Sequence, residues 1–169
     1  MSKLEIVIGN SIFISEDSDN IVTEFYIKCN GVCFPYDHWT DLTIPVLNMW
    51  FNKLINNSES QELEFILYFM DGPYKLDISK DNKMQLKVGC IESRETNRCK
   101  YMFECDYYVF LKALYYAFKE INFLLYTYGL HKGRFNTIYS ENIVSMKKIK
   151  EIIKKIVFFR VEEKLYDNK

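Results

Sequence analysis

The segment from Phe25 to Phe51 constrains the fold more strongly than any other part of the chain. Within it, Asn30-Gly31 separates two strand-like runs, FYIKC and VCFPY. Asn-Gly between such runs is the strongest short-range hairpin signal, because both central residues must adopt positive φ. The resulting register predicts three pairs of apolar residues on one face of the hairpin: Cys29 with Val32, Ile27 with Phe34, and Phe25 with Tyr36.

An amphipathic helix is predicted directly after this hairpin. Thr40 or Thr43 can provide its N-cap hydroxyl. Pro45 favours the later start, since proline is tolerated only in the first helical turn. The predicted core side chains recur at helical spacing on one face: Leu47, Trp50, Phe51, Leu54 and Ile55.

The rest of the chain alternates between strand and helix patterns. Leu4–Ile8 and Ser11–Ser15 flank Gly9-Asn10 and predict an N-terminal hairpin. Leu63–Met70 is almost continuously apolar, which predicts a central strand covered on both faces. Period-two patterns continue through residues 74–104 and predict strands with one buried face.

Two further helices complete the predicted fold. Asp106 is expected to cap a second helix that runs to about Tyr128, with Gly129 in the C′ position. A third helix is expected after Ser140, with five side chains facing inward: Ile149, Ile152, Ile153, Ile156 and Phe159. We therefore predict a single globular α+β domain over residues 1–169. Its antiparallel meander sheet has about six to eight strands, with the three helices packed mainly on one face.

Composition narrows the function classes. Hydrophobic residues make up 49% and aromatic residues 17% of the chain, which is enough apolar material for a packed core. The net charge of −1 gives no field of one sign for binding nucleic acid or an anionic membrane. No signal-peptide pattern and no apolar run of membrane-spanning length occur. We therefore predict a cytoplasmic protein with no nucleic-acid or membrane partner, and the Lys- and Asn-rich usage indicates a bacterial source.

The cysteine and motif content predicts no metal site and no cofactor. The hairpin register directs the side chains of Cys29 and Cys33 to opposite faces. A zinc site needs four converging ligands, and neither histidine has suitable neighbours. The chain contains no GxGxxG, GxxxxGK[ST], GxSxG or HExxH motif, so the strongest enzyme signatures are missing.

One short segment has the residue types of a small pocket: Asp37, His38, Trp39 and Asp41. The two carboxylates could raise the pKa of His38 or orient it as a general base. Alternatively, these polar groups satisfy the free backbone donors at the start of the first helix. No nucleophile is evident beside His38.

The second helix offers a candidate partner surface. Its face opposite the core carries a row of tyrosine, lysine and asparagine side chains: Tyr108, Lys112, Tyr115, Lys119, Asn122 and Tyr126. Exposed tyrosines in such a row are typical anchors of protein interfaces. Alternatively, the third helix or the loop at residues 129–139 covers them.

A family resemblance rests on two short motifs. The motifs are Phe34-Pro35-x-x-x-Trp39-Thr40-Asp41, followed by an apolar helix with Trp50, and the strand end Phe69-Met70-Asp71-Gly72-Pro73-Tyr74. With them, residues 25–130 resemble a group of small uncharacterised bacterial proteins similar to immunity proteins of polymorphic toxin systems. Leu42 stands where that group typically has an aromatic residue. The resemblance implies a protein that binds and occludes a cognate toxin and has no catalytic residues.

The sequence leaves two functional hypotheses open. In the first, the chain is a cytosolic, non-catalytic, immunity-like binding protein that neutralises a toxin domain through a tyrosine-bearing surface. In the second, it is a small enzyme or ligand-binding domain with its pocket near His38. A neighbouring gene for a secreted toxin would favour the first hypothesis, and a deep pocket at His38 would favour the second.

Overall fold

The computed structural model describes residues 3–15, 20–59, 63–94 and 96–166, and side chains as far as residue 158 apart from residue 59. It confirms the α+β class. The strands and helices have these bounds in chain order: β1 (Leu4–Ile8), β2 (Phe13–Ile14), β3 (Ile21–Cys29), β4 (Val32–Phe34), β5 (Thr40–Leu42), α1 (Thr43–Glu59), β6 (Glu64–Tyr68), β7 (Tyr74–Lys80), β8 (Gln85–Glu92), β9 (Arg98–Asp106), α2 (Tyr107–Thr127) and α3 (Asn136–Tyr166).

The first sheet is built around β3, which pairs along both of its edges. β1 and β2 pair with one edge, and β4 and β5 pair with the other, all antiparallel. The predicted N-terminal hairpin is therefore wrong, because β1 and β2 both pair with β3 rather than with each other. The Gly9 N–H donates to the Glu24 carbonyl at 2.9 Å, so the chain continues along the edge of β3 instead of turning back.

The strands β6 to β9 form a second, four-stranded antiparallel sheet in meander order. The single meander sheet that the sequence predicts is thus divided into two sheets, although the meander order itself holds for residues 64–106. The division has a physical cause in α1, which separates β5 from β6 in the chain and packs against β3 and β6. In a single sheet β5 would pair with β6. Here the packing of α1 against both sheets replaces that pairing.

The strand β6 lies at an edge of the second sheet rather than at its centre. Phe65 and Leu67 are buried, whereas Ile66 and Tyr68 on the opposite face are 36% and 49% exposed. The prediction of a central strand covered on both faces is therefore wrong. The apolar composition of this run produces one buried face and one exposed apolar face.

The hairpin register predicted from Asn30-Gly31 is confirmed in β3 and β4, where Cys29 pairs with Val32 and Ile27 with Phe34. Both turn residues have positive φ, 50° and 87°. The predicted third pair, Phe25 with Tyr36, is wrong because the ladder between these strands ends at Phe34. The Phe25 N–H instead donates to the carbonyl of Trp39 at 2.7 Å, just before β5.

One hydrophobic core contains side chains from both sheets and all three helices. At its centre, aromatic rings from the two sheets and α1 meet edge to face. The ring centroids are separated by 5.9 Å for Phe25 and Phe69, 5.8 Å for Phe34 and Tyr74, and 5.2 Å for Trp50 and Phe69. The Trp50 indole N–H also donates to the last carbonyl of β6 at 2.7 Å. The aromatic segment that dominates the sequence therefore forms the junction between the sheets.

The bounds of α1 and α2 agree with those predicted from the sequence. The later of the two predicted starts is correct for α1, which begins at Thr43. The carbonyls of its last turns are satisfied by the second sheet and α2, because Lys80 Nζ donates to Asn57 O at 2.5 Å and the Tyr107 hydroxyl donates to Leu54 O. At the end of α2, Gly129 adopts a φ of 71°, as a C′ glycine requires.

The third helix starts earlier than its sequence pattern indicates. A 3-10 turn at Gly133–Phe135 with a buried phenylalanine leads directly into α3 at Asn136, before the predicted start after Ser140. Ile149 and Ile152 are buried as predicted. Ile153 and Ile156 are partly buried, and the side chain of Phe159 lies outside the described part of the chain.

Candidate functional site

Asp41 in β5 is a buried carboxylate that joins the two sheets. It is 1% exposed. Its Oδ1 accepts from the N–H groups of Leu42 at 2.7 Å and Asp71 at 3.0 Å, and its Oδ2 accepts from the N–H of Met70 at 3.1 Å. Burial raises the pKa of Asp41, while these backbone donors act in the opposite direction. Because Met70 and Asp71 lie in the turn between β6 and β7, Asp41 has a structural role.

Asp37 and His38 lie nearby at the surface. The ring of His38 faces two carboxylates, with Nδ1 3.2 Å from Glu24 Oε2 and Nε2 3.7 Å from Asp37 Oδ2. The hydrogen bond with Glu24 raises the pKa of His38. The hydroxyl of Tyr26 hydrogen-bonds to Asp37 and holds the pKa of that carboxyl below its usual range. Since the His38 side chain is 73% exposed, solvent screens this charge cluster.

Trp39 packs into the junction between the sheets. Its ring meets those of Tyr36 and Tyr74 edge to face, at centroid distances of 5.0 Å and 5.1 Å. A Cβ added at Gly72 would lie 3.0 Å from the Trp39 ring, so the β6–β7 turn fits closely against the indole. The structure thus brings Asp37 and His38 together at the surface and places Trp39 and Asp41 in packed structure.

The residues predicted as a partner surface on α2 are partly covered. Lys150 of α3 places its Nζ 5.0 Å from the ring centroid of Tyr115. His131 stacks on Tyr126 at 4.6 Å, although Tyr126 remains largely exposed. Tyr108 is half-buried. α3 and the loop that follows α2 therefore cover part of the predicted row.

The exposed stripe of α2 coincides with the predicted row at Lys112, Lys119 and Tyr126 but not at Asn122, which is 8% exposed. Lys112 and Lys119 are exposed, as that row requires. Tyr116 and Phe123 are also exposed in this stripe, although neither belongs to the predicted row. Neither residue could be predicted as exposed from the sequence, because α3 covers a neighbouring stripe of the helix and a helical wheel does not show which stripe a later element covers.

The outer face of the second sheet carries a groove with a volume of about 840 Å³. Ile66 and Tyr68 of β6 line one side of it, and Met102 of β9, which is 51% exposed, lines the other. Polar and charged side chains of both signs also line the groove: Lys53, Glu64, Asp77, Ser79 and Lys87. The groove therefore combines apolar walls with a few polar groups, as ligand and partner sites commonly do.

Gly89 forms the floor of this groove. The pairing of the four strands aligns Ile66, Asp77, Gly89 and Met102 in one row across the sheet. A row of side chains interrupted by a glycine dips at that point. The nearest atoms to a Cβ added at Gly89 would be 3.6 Å away, so the fold tolerates a side chain there. Lys75 Nζ lies 3.3 Å from Asp77 Oδ1 and partly neutralises the carboxylate beside the glycine.

Three of the five cysteines, Cys29, Cys90 and Cys105, are buried, whereas Cys99 is exposed. Cys29 is buried and Cys33 is half-buried on the opposite face of the hairpin, as the register predicts. Burial raises the pKa values of Cys90 and Cys105 to about 12, which keeps both thiols protonated at neutral pH. Among the residues that the structure describes, no group of three or more His, Cys, Asp and Glu side chains is placed to hold a metal ion.

Comparison with known proteins adds no family. A scan against protein-family models, a search of curated proteins and a search of solved structures each found no significant match to this chain. Within the described residues, no helix is both long enough and apolar enough to span a bilayer. The groove, the α2 surface and the His38 cluster are therefore the features of the molecule that indicate a function.

Proposed function

We propose that this chain is a non-catalytic, cytoplasmic binding protein that neutralises a cognate toxin domain by occluding it. The observation that carries the proposal is the groove on the second sheet. Exposed apolar side chains of β6 and β9 flank it, and exposed apolar surface of this kind commonly marks a protein interface. The immunity-like form of binding comes from the resemblance of the sequence motifs.

The chemistry of the groove suits a protein partner. Its apolar walls would pack against the partner's side chains, and its lysines and carboxylates would fix their orientation. Exposed Tyr116 and Phe123 on α2 provide a second, separate surface of similar character. We place the main contact at the groove, because a concave site supplies the desolvated pocket in which interface anchors are most effective.

A small-ligand-binding domain is the second candidate function. The observation in its favour is the volume of the groove, about 840 Å³, which lies within the roughly 300–1,000 Å³ range of ligand pockets. His38 does not line this groove. The ligand hypothesis is therefore better supported at Gly89 than at the segment from Asp37 to Asp41.

The test of the proposed function is co-expression with the product of the neighbouring gene. We expect that gene to encode a toxin domain, that its expression alone stops growth, and that co-expression of this chain restores growth. The two proteins should then purify as a one-to-one complex. A chain that neither restores growth nor forms the complex would rule out the proposal.

The second candidate function is tested separately. A panel of small ligands is screened by thermal shift against the wild-type chain and Gly89→Trp, which fills the groove. Stabilisation of the wild type alone would favour ligand binding at the groove. Equal stabilisation of both proteins, or none, would count against it.

A further inference from the structure

Asp77 lies in the middle of the groove, and its carboxylate is open towards Gly89. The strand register places Asp77 between Ile66 of β6 and Gly89 of β8 in one row. Gly89 carries no side chain, so no side chain of this row stands between Asp77 and Met102 of β9. Because neighbouring strands lie about 4.8 Å apart, the Cα atoms of Asp77 and Met102 are separated by roughly 9–10 Å across the sheet. This gap is the width of one missing side chain.

The Asp77 carboxylate can still accept a hydrogen bond. Its Oδ1 is enclosed by protein atoms and has no hydrogen-bond donor within the described part of the chain, although Lys75 Nζ lies 3.3 Å from it. The Asp77 side chain as a whole is 45% exposed, so the oxygen that faces the groove is Oδ2. An ionised carboxylate has about four acceptor positions. A group inside the groove can therefore donate to Oδ2.

Apolar side chains surround this acceptor on the outer face of the sheet. Ile66 and Met102 stand at the two ends of the row. Tyr68 and Ile91 belong to the next row along the strands. Ile91 is 7% exposed, and its Cδ1 would lie 3.6 Å from a Cβ at Gly89, so it forms the floor beside the glycine. Ile66, Tyr68 and Met102 are exposed and form the rim. A group that enters the gap is therefore removed from water while it reaches one carboxylate oxygen.

The charges beside Asp77 favour a neutral donor over a cation. Lys75 lies next to the carboxylate, and its side chain is only 15% exposed. Lys87 also lines the groove, two positions before Gly89 on the same face of β8. A lysine or arginine of a partner would meet these two like charges at the gap, and like-charge juxtaposition opposes binding. Glu64 also lines the groove but lies in β6, two strands from Lys87. A neutral N–H or O–H group meets no such repulsion.

We propose that the partner protein inserts one tryptophan or tyrosine side chain into the gap above Gly89. The inference rests on the proposed function and names the anchor that the toxin domain would use. The ring lies between Asp77 and Met102, donates its indole N–H or phenol O–H to Asp77 Oδ2, and packs against the Met102 thioether. Sulfur–aromatic contacts of this kind are favourable at a distance of about 5 Å. Tryptophan and tyrosine are also enriched among the residues that dominate interface energetics, and their polar atom needs a partner when it is buried.

Other anchors fit the gap less well. A phenylalanine or leucine would displace water from Asp77 Oδ2 without replacing its hydrogen bond, and an acceptor left in that state weakens binding by about tenfold. An arginine or lysine would satisfy the oxygen but would add a third cation beside Lys75 and Lys87. The combination of an apolar rim, one open acceptor and two nearby cations therefore selects an aromatic ring with a neutral donor.

The first test uses free probes on the full chain and needs no toxin. Indole carries the N–H donor and 1-methylindole lacks it, and p-cresol and 4-methylanisole form the same pair for the phenol O–H. Each probe is titrated by two-dimensional NMR. We expect the donor-bearing probes to shift the backbone amide signals of Gly89 and Met102 and to bind about fivefold to tenfold more tightly than their methylated counterparts.

Variants at Asp77 separate the hydrogen bond from the shape of the gap. Asp77→Ala should abolish the preference for indole over 1-methylindole, whereas Asp77→Asn keeps an acceptor oxygen and should retain it. Gly89→Trp, which fills the gap, should bind neither probe. Glu151→Ala, which removes an exposed carboxylate of α3 outside the groove, is the matched control and should behave as the wild type. The same NMR spectra show whether each variant is folded. Equal binding of indole and 1-methylindole to the wild type, or an unchanged preference in Asp77→Ala, would overturn the proposal.

The second test applies to the complex with the toxin domain. By titration calorimetry, Asp77→Ala should weaken binding by about tenfold or more, and Asp77→Asn should stay within about threefold of the wild type. Unchanged binding by Asp77→Ala in a complex that forms would overturn the anchor and leave the toxin-binding function intact. A donor preference among the free probes without any toxin complex would instead overturn that function and leave the site for an aromatic donor in place.

Discussion

Replacing Asp41 with alanine should destabilise the protein more than the small size of the aspartate side chain suggests. The carboxylate accepts hydrogen bonds from the N–H groups of Leu42, Met70 and Asp71, and two of these donors belong to the other sheet. A hydrogen bond contributes roughly 0.5–1.5 kcal/mol, and a buried donor left alone costs about 1–3 kcal/mol. Allowing for water entering the space, we expect Asp41→Ala to lower the free energy of unfolding by about 3–4 kcal/mol.

Urea denaturation with linear extrapolation measures this loss. Asp41→Asn is the matched variant, because it keeps one acceptor oxygen and should cost about 1–2 kcal/mol. Burial raises the pKa of Asp41 in the folded protein, so the part of the stability that comes from this raised pKa is present below the ordinary pKa of about 3.9 and is lost as pH rises through the raised value, while the three backbone donors still have their acceptor. The difference between Asp41→Asn and the wild type should therefore shrink from pH 3 towards pH 7. A loss below about 1 kcal/mol for Asp41→Ala would refute a structural role.

Three further predictions follow from single contacts. Gly9→Ala should lower the free energy of unfolding by about 1–3 kcal/mol in urea, because its Cβ would lie 2.6 Å from that of Glu24; Gly89→Ala, which has room, should be nearly neutral. Trp50→Phe should cost about 2–3 kcal/mol in the same assay, since it removes buried volume and leaves a β6 carbonyl without its indole donor. Glu24 raises the pKa of His38, so the stabilising contribution of that histidine is present below its unfolded pKa and is lost as pH rises through the folded value. The difference in melting temperature between His38→Ala and the wild type should therefore be larger at pH 5.5 than at pH 8.5. An equal difference at both pH values would contradict the ion pair.

The local structure could be predicted from the sequence where one short segment determines it. Asn30-Gly31 gives the β3–β4 register, Pro45 selects the start of α1, and Gly129 ends α2. In each case the backbone preference of one or two residues is sufficient, because no distant contact competes with it.

The division into two sheets could not be predicted in this way. Leu63–Met70 is apolar on both faces, and a central strand has the same pattern as an edge strand with an exposed apolar face. The pairing of β2 with β3 has the same difficulty, because a turn-like Gly9-Asn10 is compatible with a continuing strand. Both outcomes depend on which elements meet in three dimensions, and the position of α1 decides this.

The groove could not be predicted from the sequence for a related reason. The groove exists because Gly89 aligns with Ile66, Asp77 and Met102 across four strands, and that alignment depends on three turns and a bulge. A glycine within a strand pattern is the one local signal, since it marks a close approach or a missing side chain. The packing of the segment from Asp37 to Asp41, for which a pocket was predicted, also could not be read from the local sequence, because the position of Asp41 depends on a turn about thirty residues later in the chain.

The affinity of groove variants for the toxin domain tests the central claim most directly. Titration calorimetry would compare the wild type with Gly89→Trp, which fills the groove, and with Lys112→Glu/Lys119→Glu, which reverses two charges on the exposed face of α2. We expect Gly89→Trp to weaken binding by about 100-fold, because it removes the concave anchor site, and the helix variant to bind within about threefold of the wild type. Unchanged binding by a folded Gly89→Trp protein, together with a large loss in the helix variant, would contradict the account and place the interface on α2.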